Sequence, residues 1–165
     1  MYYIIIIVLA AIDQAIKYVV RANMNVGETI PVIENVFHIT YIHNTGAAFS
    51  IMQGQTAFLI AVPAILTIAI IVYLHKQTKG SHFTLPLALA LICAGGTGNL
   101  IDRIRFGWVV DFIDFRVFPI FNAADVFVCT GCGALIIYMI FFDKPKNAEN
   151  SDSPDSVESA RSVAL

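Results

Sequence analysis

The sequence predicts an all-α membrane protein with a small β element: four transmembrane helices and an extracytoplasmic β-cradle between the first two. Three observations lead to this prediction. Hydrophobic residues make up 58% of the 165 residues and the mean hydropathy is +0.74, well above the roughly 45–50% apolar content of soluble domains. Four apolar stretches are long enough to cross a hydrocarbon core of about 30 Å. One connection between them is rich in β-branched and aromatic residues.

The four apolar stretches occupy residues 2–20, 57–74, 83–101 and 123–142. In hydrocarbon, each backbone amide must find a partner within its own element, so runs of this length are predicted to be helices. The first stretch is interpreted as a retained helix and not as a cleaved signal, because no basic segment precedes it and Asp13 interrupts it. An even number of spans places both termini on one side of the membrane.

The connections between the helices differ in length and chemistry. Residues 75–82 form a short basic turn, whereas the connections at 21–56 and 102–122 are longer and must lie together on the opposite side. The first long connection contains Val36-Phe-His-Ile-Thr-Tyr-Ile-His43, whose composition is typical of strands. We therefore expect one or two strands within a cradle spanning about residues 28–53.

The remaining chain is predicted to be a tail. Residues 144–165 are rich in Ser, Asp, Glu, Asn and Pro, which favours disorder. This leaves residues 1–143 as a single domain. Positive charges divide almost evenly between the two sides. Arg103, Arg105 and Arg116 lie among Asp102, Asp111 and Asp114 and are expected to form ion pairs with them, so cytoplasmic termini are favoured.

Composition also excludes some functions. A net charge of −2 provides no basic surface for nucleic acid. No His-Glu-x-x-His motif is present, and the Cys129–Cys132 pair lies within an apolar helix without further ligands nearby, where packing is the favoured interpretation. No metal or cofactor is expected.

Two polar clusters lie within or beside the predicted helices. Asp13 and Lys17 are four residues apart on one helical face, and a neutralising ion pair is favoured there over a direct chemical role. Asn99, Asp102 and Arg103 share a face at the end of the third helix. Their spacing is equally consistent with structural anchoring and with substrate contact.

The third cluster contains Asp111 and Asp125. Asn122 is placed to cap the fourth helix, so Asp125 has a ready structural role as a capping-box acid. Asp111 follows Val109 and Val110 in an apolar interfacial segment, where the local sequence offers its carboxylate no partner. If the connection folds back onto the helix, the two carboxylates share one proton, as in an aspartic protease. One then activates a water while the other polarises the scissile carbonyl.

Five blocks of residues resemble the bacterial lipoprotein signal peptidase family, also called signal peptidase II. In order, they are Asp13-Gln-Ala-Ile-Lys17, Asn44-Thr-Gly-Ala-Ala-Phe49, Gly98-Asn-Leu-Ile-Asp-Arg103, Gly107-Trp-Val-Val-Asp-Phe112 and Phe121-Asn-Ala-Ala-Asp125. The resemblance implies that Asp111 and Asp125 are the catalytic pair. Residues implied to bind substrate or support the site are Asp13, Lys17, Asn44, Gly46, Asn99, Asp102, Arg103 and Asn122.

The resemblance also implies a substrate and a location. The family removes the signal peptide of prolipoproteins by cleaving before a cysteine that carries a diacylglyceryl group. We therefore expect a multi-pass protein of the bacterial cytoplasmic membrane, with cytoplasmic termini and an active site towards the outer face. Membrane lipid is an expected partner, and the family's antibiotic globomycin is expected to occupy the substrate groove.

Two other functions remain as alternatives. A small proton-coupled transporter would use Asp13 or Asp125 as a relay, although no inverted repeat is visible and most acids crowd one interface. A structural or assembly factor would use the interfacial acids only to pair with arginines. Substitution of Asp111 would then alter stability without a specific biochemical defect.

Overall fold

The computed structural model describes residues 1–46, 55–77 and 82–142. The predicted cradle residues 47–53 and the predicted tail, residues 144–165, lie outside this part of the chain. Within it, four α-helices and three β-strands are found. In chain order they are α1 (Tyr2–Asn23), β1 (Thr29–Ile33), β2 (Phe37–Asn44), α2 (Thr56–Gln77), α3 (Thr84–Phe106), β3 (Val109–Asp114) and α4 (Ala123–Phe141).

All four helices are long and apolar enough to cross a membrane, so the predicted fold class is confirmed. Three of them extend past the end of their apolar stretch, and α3 does so by five residues. The polar residues of this last part of α3 continue the helix because they face the interior of the protein. The helix stops at Gly107, whose φ of 79° is left-handed and whose N–H donates to the carbonyl of Arg103 at 3.0 Å.

Helix α3 lies at the centre of the bundle, and α1, α2 and α4 pack against it. Small residues permit this close approach. A side chain at Gly95 would collide with the backbone carbonyl of Ala124, and one at Gly98 would collide with the Asp13 carboxylate. The glycines of α3 therefore fix how closely α1 and α4 approach the helix that carries Asn99 and Asp102.

A three-stranded antiparallel sheet lies at the end of the bundle where α1 and α3 terminate and α4 begins; we call this the sheet end. Its order is β1-β2-β3, so β2 is central. The hydrophobic side of the sheet packs on the last turn of α1, where Val20 forms a buried cluster with Tyr41, Val110 and Phe112. This packing anchors the sheet to the helices.

Strand β3 was not predicted from the sequence, which confined strands to the first long connection. The segment Val109–Asp114 has the β-branched composition of a strand, but most of its residues are buried. Its hydrophobic pattern therefore lacks the alternation that marks a half-exposed strand. It pairs with β2 from the other long connection, with Ile42 opposite Asp111 and Asn44 opposite Val109. The sheet thus unites the two connections.

Candidate active site

Lys17 and Asp13 lie on the single buried stripe of α1. The other buried residues of this stripe are Ile6, Ala10 and Val20, at alternating spacings of three and four. The Lys17 Nζ lies 2.9 Å from Asp13 Oδ2, so the predicted ion pair is present, and both side chains are almost completely buried. The second Asp13 oxygen accepts a hydrogen bond from the Ala124 N–H at 2.9 Å. Asp13 therefore ties α1 to the first turn of α4.

Lys17 also contacts α3. Its Nζ lies 3.1 Å from Asp102 Oδ2 and donates to Asn99 Oδ1 at 2.8 Å. The ammonium therefore has three partners, one for each N–H, which is what a buried lysine requires. Asp102 in turn accepts from the backbone N–H of Val110 at 3.1 Å and so connects α3 with β3.

Arg103 points in another direction from its neighbour Asp102. Its Nη2 donates to the carbonyl of Gly46 at 3.0 Å. Gly46 is held from its other side as well, because its N–H donates to Asn44 Oδ1 at 2.9 Å. Arg103 and Asn44 together fix the chain just after β2, so the anchoring role considered for Arg103 is realised here. The rest of this sequence block, residues 47–49, lies outside the described residues.

Asn122 and Asp125 form a complete capping box at the start of α4. The Asn122 side chain accepts from the Asp125 N–H, and Asp125 Oδ2 accepts from the Asn122 N–H, both at 3.1 Å. The structural role expected for Asp125 is therefore present. Capping occupies only Oδ2 of the Asp125 carboxylate, since Oδ1 accepts a hydrogen bond from Asn99 Nδ2 at 2.7 Å. Capping thus fixes the rotamer of Asp125 without saturating its carboxylate.

Asp111 lies on β3 and finds its partners through the tertiary fold. Antiparallel register makes Asn44 its diagonal neighbour on the same face of the sheet, and Asn44 Nδ2 donates to Asp111 Oδ2 at 2.8 Å. Burial raises the pKa of Asp111 to about 6. The nearby charge of Asp125 acts in the same direction, whereas hydrogen bonds from Asn44 and Asn122 oppose the increase.

Asn122 joins the two aspartates directly. Its Nδ2 donates to Asp111 Oδ1 at 2.6 Å and to Asn99 Oδ1 at 3.1 Å, while its backbone N–H binds Asp125. Asn122 is completely buried. The fold therefore brings a carboxyl group with a raised pKa and a second carboxylate into one hydrogen-bonded cluster, an arrangement suited to paired acid and base chemistry.

A cavity of about 1010 Å³ opens beside both aspartates. It runs between α2 and α4 over the surface of α3, with Pro63, Ile92 and Val128 among the residues that line its apolar part. Its polar end is lined by Asn44, Asn99, Arg103, Asp111, Asn122 and Asp125. The cavity can hold an extended apolar segment while presenting one of its bonds to the carboxylates.

The predicted site residues fall into two groups in the structure. Asp111, Asp125, Asn44, Asn99, Arg103 and Asn122 line the cavity, whereas Asp13, Lys17 and Asp102 form a buried layer behind them. Gly46 belongs to neither group and is bound by Asn44 and Arg103 just after β2. Sequence reasoning overlooked Gln14, whose Nε2 donates to Asp102 Oδ1 at 2.9 Å and to the Gly98 carbonyl at 3.1 Å. Gln14 lies within the first resembling block, Asp13-Gln-Ala-Ile-Lys17, but was not assigned to the site.

The ion pairs expected for the interfacial arginines are present only in part. Arg116 pairs with Asp114 at 3.0 Å. The expectation for Arg105 was wrong, because its guanidinium lies over the Phe106 ring instead. Among the described residues, Arg103 contacts a backbone carbonyl and makes no direct ion pair.

Known proteins resemble this chain over most of its length. Residues 5–141 match the family model for signal peptidase (SPase) II. A lipoprotein signal peptidase of Halothermothrix orenii is 44% identical over 139 residues, which cover 84% of this chain and 94% of the relative. The Bacillus subtilis lipoprotein signal peptidase is 40% identical over 153 residues, covering 90% and 99%.

A solved structure has the same fold. A bacterial membrane enzyme determined by the in meso method at 2.3 Å resolution superposes with a TM-score of 0.79 at 32% identity, covering 88% of this chain and 94% of that one. These similarities give no support to the transporter alternative. With four candidate spans, the protein is a multi-pass membrane protein. The chain belongs to the signal peptidase II family of aspartic peptidases.

Proposed function

We propose that Asp111 and Asp125 are the catalytic pair with which this chain cleaves prolipoproteins before a diacylglyceryl-modified cysteine. The observation that carries the proposal is the double contact of Asn122 with both aspartates, at the polar end of the apolar cavity. This buried residue holds the Asp111 carboxyl group through its side-chain amide and the Asp125 carboxylate through its backbone N–H, where a peptide bond and a water can meet both. Family membership supports the reaction class.

The two aspartates have different environments, which supports different roles. The N-terminus of α4, together with N–H donors from Asn99 and Asn122, stabilises negative charge on Asp125. Burial raises the pKa of Asp111 to about 6, so this carboxyl group holds its proton more strongly than an ordinary aspartic acid. Asp125 then takes the proton of the attacking water, while protonated Asp111 polarises the scissile carbonyl. Asp125 passes the proton taken from the water to the leaving amine as the bond breaks.

The cavity shape supports a lipid-modified substrate. Its lining is mostly apolar below the aspartates, so acyl chains and an apolar signal sequence are accommodated between α2 and α4. The end of β2, at Ile42, His43 and Asn44, lines the part of the cavity nearest the sheet. We propose that the cradle holds the backbone of the substrate beside the cleaved bond. Globomycin would occupy the same space and compete with substrate.

The proposed location is the bacterial cytoplasmic membrane, with both termini in the cytoplasm and the sheet end towards the outer face. The substrate requires this side, because prolipoproteins are cleaved after export of the lipid-modified cysteine. A reporter active only in the cytoplasm, fused after residue 142, should be active. A second reporter, active only outside the cytoplasm, should be silent after residue 142 and active when inserted after Asn35. The reverse pattern would contradict the proposed orientation.

Cleavage by purified protein in detergent tests the catalytic assignment. A diacylglyceryl-modified prolipoprotein peptide is expected to be cut by the wild type and not by Asp111→Asn or Asp125→Asn. Asp114→Asn is the matched control, because Asp114 is also buried on β3 but binds Thr40 and Arg116 away from the cavity. Circular dichroism checks folding of each variant.

The outcomes separate the hypotheses. Folded but inactive Asp111 and Asp125 variants, with an active Asp114 variant, support the pair. Normal cleavage by either of the first two variants would overturn it. Equal cleavage of the same peptide without the diacylglyceryl group would overturn the proposed substrate class but leave the catalytic pair standing.

A further inference from the structure

Two arginines at the sheet end lie outside the catalytic cluster. Arg21 is in the last turn of α1, Arg105 is in the last turn of α3, and both guanidinium groups contact the ring of Phe106. The guanidinium carbons lie 4.4 Å and 5.1 Å from the ring centroid. The ring therefore holds two positive charges close together where the helices leave the apolar layer.

These charges have no carboxylate partner within residues 1–46, 55–77 and 82–142. The ion pairs there join Lys17 to Asp13 and Asp102, and Arg116 to Asp114. In the sequence, residues 47–54 contain no acidic residue. In addition, Arg21 Nε is shielded from solvent and finds no hydrogen-bond acceptor in the part of the chain that the structure describes. A buried donor of this kind is costly unless an acceptor is supplied from outside the described residues.

The helix surface next to the two arginines, towards the middle of the bundle, is apolar. Tyr18, one turn before Arg21 on the same face of α1, is 65% exposed. Ile101, one turn before Arg105, is half-buried, and Ile104 is 64% exposed. Two cations above an apolar helix surface match the layout of a phospholipid, in which phosphate lies above acyl chains.

We propose that Arg21 and Arg105 bind the phosphate of an anionic phospholipid at the sheet end of the bundle. Guanidinium groups suit phosphate because they offer planar pairs of N–H donors. The phosphate would draw the two guanidinium groups outward from the Phe106 ring, so that Arg21 Nε gains an acceptor and both charges are neutralised. The bound lipid would cover the side of α1 and α3 next to Phe106, apart from the cavity between α2 and α4.

The only tryptophan provides a readout. Trp108 stacks on Phe106 with a centroid distance of 5.2 Å. Lipid that draws the arginines towards a phosphate alters the surroundings of this ring pair. Phosphatidylglycerol titrated into the detergent-solubilised protein is expected to change Trp108 fluorescence saturably, whereas phosphatidylcholine is expected to give a much weaker, non-saturating change.

Variants connect the signal to the arginines. Arg105→Gln, a change at an exposed site, is expected to weaken the apparent affinity roughly fivefold, the factor equivalent to about 1 kcal/mol for one cation. Arg21→Gln/Arg105→Gln is expected to abolish saturation. The matched control Lys76→Gln/Arg116→Gln removes the same charge elsewhere and is expected to bind like the wild type.

Three results would overturn the proposal. The first is an Arg105→Gln variant that binds phosphatidylglycerol with unchanged affinity. The second is an equal loss of affinity in the control variant, which would indicate general charge attraction. The third is an equal response to inorganic phosphate in phosphatidylcholine, which would assign the site to a free anion. Because the readout does not involve cleavage, it is independent of the catalytic assignment.

Discussion

Lys17 donates to Asn99 Oδ1 at 2.8 Å, and this contact fixes which end of the Asn99 amide faces Asp125. With its oxygen engaged by Lys17 and Asn122, Asn99 presents Nδ2 to Asp125 at 2.7 Å. A charge on α1 therefore orients a donor on α3 that binds a carboxylate on α4. Lys17 acts on the proposed site as a positioning residue, without touching the cavity.

Replacing Lys17 should destabilise the protein. Lys17→Met leaves the buried carboxylates of Asp13 and Asp102 without their cation, so the free energy of unfolding should fall by about 3–5 kcal/mol. Unfolding in detergent measures the loss. The additional change Asp13→Asn should recover part of it, while Lys76→Met, at an exposed site, should be near neutral. A Lys17→Met variant as stable as the wild type would contradict the network.

Removing the Asn44 side chain should alter the pH profile of cleavage. Asn44 donates to the Asp111 carboxylate and so lowers its pKa; Asn44→Ala should therefore raise it. Since protonated Asp111 is the proposed acid, the alkaline limb of kcat/KM should move upwards by roughly one pH unit, as expected for one charge-assisted hydrogen bond. Asn25→Ala, which removes an exposed contact with Glu28, is the control. A downward shift would reverse the assigned roles.

The raised pKa of Asp111 should make stability depend on pH. The folded protein holds this proton up to about pH 6, whereas the ordinary value is 3.8. The contribution of this group is therefore full below the ordinary value and is lost as pH rises through the folded value. Between about pH 5 and pH 8, the free energy of unfolding should fall by roughly 1 kcal/mol on account of Asp111.

Unfolding at the two pH values should show this decrease in the wild type and not in Asp111→Asn. Asp114→Asn is again the control. Hydrogen bonds from Thr40 and Arg116 outweigh burial and lower the pKa of Asp114, so its contribution is already constant in this range. If Asp114→Asn removes the decrease instead, the dependence has been assigned to the wrong carboxyl group.

The close packing of α3 against α4 predicts different effects on stability for alanine substitutions at Gly95 and Gly133. Gly95→Ala places a methyl group against Val128 and the Ala124 carbonyl of α4, and should cost about 1–3 kcal/mol through overpacking. It should also disturb cleavage, because α4 carries Asp125. Gly133→Ala meets no atom within 4 Å among the described residues. It should be neutral or slightly stabilising, and equal effects at both positions would argue against the packing of α3 and α4.

Several features follow from the sequence because they depend on local chemistry. Length and apolarity determine the four helices, since hydrocarbon leaves the backbone no other partners. Helical spacing determines the contact between Asp13 and Lys17, and chain order at the start of α4 determines the capping box of Asn122 and Asp125. These contacts join residues three or four positions apart.

The tertiary structure alone decided the contacts between distant residues. Strand β3 formed because β2, from the other connection, supplied its hydrogen bonds and the last turn of α1 covered it. Asn44 reached Asp111 across 67 positions, and Lys17 reached Asn99 across 82. No local pattern records such a pairing, because each partner satisfies the other only after the helices have packed. The sequence motifs predicted which residues belong to the candidate site. The register of the sheet and the packing on α3 determine which of their atoms are in contact.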